Sequence, residues 1–108
     1  MPTLPKPPKQ YDEFVGRFPH LGEAWESMNK AGQEGPLDKR TARLVKLAVA
    51  MGAMREGSVH ASVRKALAMG ITAEELEQVV ALSAGTLGMP ATVACFQWIR
   101  DITKKQSG

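Results

Sequence analysis

The sequence predicts an all-α protein of about six helices, and three observations predict it. Apolar residues recur at i, i+3, i+4 and i+7 along most of the 108 residues. No run alternates apolar with polar residues, and no Asn-Gly or Asp-Gly pair marks a hairpin turn. Glycine, proline and capping residues cut the periodic stretches into helix-sized lengths. The chain is long enough for one domain, and at 44% apolar and 23% charged it has the composition of a globular protein. Only 6% of residues are aromatic, so Ala, Val, Leu and Met must supply the core.

The elements follow in order. Pro2, Pro5, Pro7 and Pro8 make residues 1–9 an extended, proline-rich arm, because proline stops helix continuation and biases its predecessor toward extended geometry. Residues 10–108 then read as a single helical domain. Tyr11 to Arg17 is a short helix. Pro19 fits the first turn of a second, His20 to about Ala31, with Leu21, Ala24, Trp25 and Met28 at helical spacing. Gly32, Gly35 and Pro36 break it. A third helix starts near Asp38, whose carboxylate suits a helix N-terminus, and Leu44, Leu47, Ala48 and Met51 form its buried stripe. A fourth runs from Glu56 to Met69 and is stopped by Gly70. Thr72 and Glu75 form a capping box that opens a fifth through Leu76, Val79, Val80 and Leu82. The last runs from about Pro90 to Lys104.

Several function classes are excluded early. The lone cysteine, Cys95, rules out an intramolecular disulfide, a Cys-x-x-Cys pair and a thiolate metal cluster. Apolar runs reach about eight residues, well short of the ~18 expected of a membrane span. The opening MPTLPKPPKQ lacks the layout of a signal peptide, so a cytoplasmic location is expected. From Asp38 to Lys65 there are seven basic residues against two acids, which favours a small anionic metabolite. Without interleaved aromatics or a recognised motif, that run does not suggest nucleic acid.

His60 is the leading candidate for chemistry. Glu56 and Arg64 lie four residues to either side, so the three side chains share one helical stripe. A carboxylate beside an imidazole favours its charged form and orients the ring, as a general acid requires. The same spacing also describes an ordinary surface salt-bridge ladder. Arg55 and Arg64 are the candidates for gripping an anionic group, since a guanidinium holds a carboxylate bidentately. No metal ligand set and no cofactor motif stands out. Cys95, among Val93, Ala94 and Phe96, reads as a small core hydrophobe, and His20 as structural. Val79 to Cys95 carries no charge at all, which suggests either an oligomer interface or an internal core hairpin.

The run PLDKRTARLVKLAVAMGAMREGSVHASVRKALAMGITAEELEQVVALSAGTLGMPATVACF resembles the carboxymuconolactone decarboxylase family, which shares the AhpD-like fold. The leading LDKRTARLVKLA, the stretch HASVRKALAMGIT, the capping box and the late GMPA carry the resemblance. The family's peroxidase-type branch has Cys-x-x-Cys-x-x-x-His with an upstream glutamate. Here the cysteine positions are Ala53 and Glu56, only His60 matches, and the glutamate position falls on Arg43. A thiol peroxidase is therefore not expected. The resemblance implies instead the decarboxylase-type branch: cofactor-free loss of carbon dioxide from a small lactone or keto carboxylate. His60 would be the general acid, Glu56 its partner, and Arg55 or Arg64 the substrate's anchor. It also implies a homo-oligomer, a trimer or hexamer. A non-catalytic oligomeric binding protein is the alternative.

Overall fold

The computed structural model describes residues 9–107, and side chains through residue 105. It contains six helices: α1 (Lys9–Arg17), α2 (Pro19–Gln33), α3 (Lys39–Gly52), α4 (Glu56–Ala68), α5 (Ala73–Leu87) and α6 (Met89–Ser107). No strand occurs among the described residues. The arm expected over residues 1–9 lies outside them, except for Lys9, which opens α1.

The local signals act where the sequence places them. Asp38 is the N-cap of α3 and accepts a 2.6 Å bond from the Thr41 amide. Thr72 caps α5 by the reciprocal bonds of a capping box with Glu75. Gly70, at φ 87°, ends α4 in a Schellman turn, with Gly70 N–H bonded to Leu67 O and Ile71 N–H to Ala66 O. The end of α3 repeats this pattern without a glycine. Met54 donates to Met51 O and Arg55 to Ala50 O, so Met54 takes the left-handed position at φ 56°. Short turns, residues 53–55 after α3 and 69–72 after α4, therefore set where α4 begins and ends.

Helices α3 to α6 form a four-helix bundle in which α3 packs on α4, α4 on α6, α6 on α5 and α5 on α3. Leu47, Met51, Val59, Val63, Ile71, Leu76, Cys95 and Ile99 fill its centre. Arg40 of α3 pairs with Glu75 of α5 at the rim. Helices α1 and α2 pack against each other and contain no fully buried residue. Their apolar stripe, including Phe14, Leu21, Trp25 and Met28, is exposed.

The charge-free stretch contains both core and exposed residues. Val80 and Cys95 lie in the core, whereas Leu82, Met89 and Val93 are 76%, 66% and 55% exposed. The α5–α6 hairpin is thus a core element with an apolar outer face. No helix of the described residues is long and apolar enough to cross a membrane.

Candidate functional site

Helix α4 begins directly after the Arg55 N-cap, and its first turn carries Glu56. One turn on, His60 is oriented toward α6 because Val59, Ser62 and Val63 occupy the face that packs inward. The imidazole is half-buried. Its Nε2 lies 3.2 Å from Oδ2 of Asp101, a residue 41 positions away on α6. Asp101 is in turn fixed from its own helix, where Gln97 Nε2 donates a 2.9 Å bond to Oδ1. The Gln97 bond, followed by the His60 contact, holds the Asp101 carboxyl below the usual aspartate range. One carboxylate oxygen of Glu56, a ring nitrogen of His60 and a carboxylate oxygen of Asp101 all lie within 4.8 Å of one another. These three are the groups among the described residues that could hold a metal ion.

The candidates named from sequence are partly brought together. Glu56 and His60 share the cluster, as their spacing implies. The direct partner of the ring is Asp101, which sequence reasoning missed. Arg64 is exposed and extends the Glu56–His60 stripe along α4, while Arg55 is exposed at its N-cap. Neither guanidinium pairs with a carboxylate among the described residues.

Arg43 takes no part in this cluster. Its Nη1 reaches Ser62 Oγ at 3.4 Å, and Ser62 is two residues past His60, about 200° around α4 on a 3.6-residue turn. Burial pushes the Arg43 guanidinium down from its ordinary value, and its Nε is buried without a partner. On the same side Lys65 is lowered by burial and then by Arg43, Lys46 and Arg64, so the basic residues of α3 and α4 crowd one another. Four of the seven basic residues counted in the sequence, Arg43, Lys46, Arg64 and Lys65, therefore lie near one another.

Cys95 is fully buried, and its thiol lies 3.8 Å from the Met51 carbonyl, to which it donates. Burial pushes the thiol up, away from the reactive thiolate. His20 is exposed and lies 3.5 Å from Glu23 on α2.

No curated protein and no solved structure matches the chain. A model of the carboxymuconolactone decarboxylase family matches residues 19–101, which include α2 through most of α6 and every member of the Glu56–His60–Asp101 cluster. With more than half its length matched, the chain belongs to the carboxymuconolactone decarboxylase family.

Proposed function

We propose that the protein is a decarboxylase-type member of its family, acting without a cofactor on a small lactone or keto carboxylate. The observation that carries this reading is the His60 ring held against Asp101 beside Glu56, with no thiol near it. Loss of carbon dioxide breaks the bond between the carboxylate and its carbon, leaving the electron pair on that carbon. The pair is delocalised into a neighbouring carbonyl as an enolate. The His60 imidazolium then gives its proton to the carbon, and the neutral ring is reprotonated from water. Asp101 keeps the ring oriented, and Glu56 places a second carboxylate beside it. Arg55 or Arg64 binds the substrate's anionic group by paired hydrogen bonds.

The exposed apolar residues of α1, α2 and the α5–α6 hairpin support a homo-oligomer, a trimer or hexamer, in which these faces are covered. Sedimentation of the purified protein measures that assembly; a strictly monomeric chain at micromolar concentration overturns it.

Titration of small lactone and keto acids against wild type and His60→Ala tests the chemistry. The expected result is turnover in wild type and loss of about 100-fold or more in the variant, the range for removing a general acid. Equal turnover in the two proteins removes His60 from the reaction. Binding without turnover in either points instead to a non-catalytic binding protein.

A further inference from the structure

We propose that Glu56, His60 and Asp101 form a binding site for a divalent first-row metal ion of the zinc type, and that the bound ion inhibits the protein. The donor set comes from two helices. Glu56 and His60 are one turn apart on α4, and Asp101 faces them from α6. Imidazole nitrogen with carboxylate oxygen is the ligand chemistry that suits such ions.

The distances fit. Two ligands about 2.0–2.1 Å from one ion stand roughly 2.8–3.4 Å apart across octahedral and tetrahedral geometry. His60 Nε2 and Asp101 Oδ2 are already 3.2 Å apart. The Glu56 carboxylate is exposed and lies within 4.8 Å of both, so rotation of its side chain brings it into range. Glu56 makes no ion pair with an arginine or lysine among the described residues. An ion would thus give Glu56 a charge partner, whereas Asp101 already faces His60 and has Lys105 nearby.

A support for the ligands is also present. Gln97 engages Oδ1 of Asp101, leaving Oδ2 directed at the ring. Metal sites use such outer hydrogen bonds to fix a carboxylate ligand. The half-buried ring further restricts the cluster, since its side chain is only 21% exposed. An ion seated there occupies His60 Nε2, the nitrogen through which Asp101 holds the ring, so the metal-bound ring can no longer be the imidazolium of the proposed reaction. Inhibition therefore rests on the decarboxylase reading, whereas binding does not.

The test is calorimetric titration of the metal-free protein with zinc chloride at pH 7.5, with visible absorption of a cobalt(II) titration as a second signature. One ion per chain is expected. His60→Ala and Asp101→Asn should each weaken binding at least tenfold, as should Glu56→Gln. Gln97→Ala should weaken it about 10- to 100-fold, the usual effect of removing an outer hydrogen bond. His20→Ala should leave it unchanged. Should His60→Ala fail to fold, the isosteric Asp101→Asn decides, with circular dichroism as the folding control. Absence of binding overturns the site, and so does wild-type affinity in Asp101→Asn or loss of binding in His20→Ala. Turnover that depends on His60 but resists zinc overturns the inhibition alone. Zinc binding in a protein that turns over no acid overturns the decarboxylase reading and leaves the metal site standing.

Discussion

Cys95 offers a direct check on the chemistry assigned to this chain. Its side chain has no exposed surface, and its sulfur lies against the Met51 carbonyl in the centre of the bundle. A thiol reagent can reach it only when α6 separates from α3 and α5. If that opening costs as much as global unfolding of a marginal domain, about 5 kcal/mol, the open form is only about 1 part in 5,000. Labelling of the native thiol by a disulfide reagent should then be at least about a thousandfold slower than labelling of the unfolded chain. Burial acts in the same direction, because it raises the thiol and depletes the thiolate that attacks.

The assay follows thiolate release from an aromatic disulfide at pH 7.5, with and without 6 M guanidinium. One thiol per chain should react promptly in denaturant and almost none on the same timescale without it. Peroxide consumption by Cys95→Ala should equal that of wild type. A native thiol that reacts within the mixing time would refute the packing described here. It would also return a single-cysteine redox activity to consideration.

Two further predictions concern the turns that position the site. Asp38 is held below its ordinary value of 3.8 by the Thr41 amide, so the fold favours its charged form. Its contribution is therefore present above the ordinary value and lost as pH falls through the lowered one. Asp38→Asn keeps a capping oxygen without titrating, and its thermal midpoint should fall less than that of wild type between pH 5 and 2.5. An identical fall in both would remove the Asp38 charge from the stability of α3. Met54 sits in the left-handed region, which costs an ordinary residue about 1–2 kcal/mol. Met54→Val should destabilise further, because a branched Cβ is worse there, while Met54→Gly should gain up to ~1 kcal/mol after its own entropy cost. Thermal melts that place valine above glycine would show that Met54 is not strained.

The helices were legible in the sequence because their signals are local. Asp38, the Thr72–Glu75 box and Gly70 each act within four residues, and each stands at the boundary it predicts. The Leu44–Met51 stripe likewise names a face that the bundle buries. Asp101 was not legible, since its contact with His60 spans 41 positions and depends on how α4 crosses α6. The one available hint was Gln97 four residues before Asp101, a spacing too common in helices to single out. The stripe of α2 shows a different limit. Periodicity identifies an apolar face but not what covers it, and within one chain Leu21, Trp25 and Met28 remain exposed.

On the resemblance, the redox positions of this chain carry no sulfur, and the histidine has two carboxylates near it instead. The peroxidase-type pattern places a thiol four residues before the histidine, where this chain has Glu56. A carboxylate there preserves a negative group one helical turn from the ring but cannot form a disulfide. On the resemblance, the position of the upstream acid falls on Arg43, which reaches Ser62 on the far side of α4 and not His60. The acid at hydrogen-bond distance from the ring is Asp101 on α6. Two carboxylates now converge on one imidazole with no thiol between them, an arrangement suited to moving a proton or binding a cation and unable to exchange electron pairs with a peroxide. The buried Cys95 is consistent with this, because its sulfur lies in the core against Met51 and takes no part in the cluster.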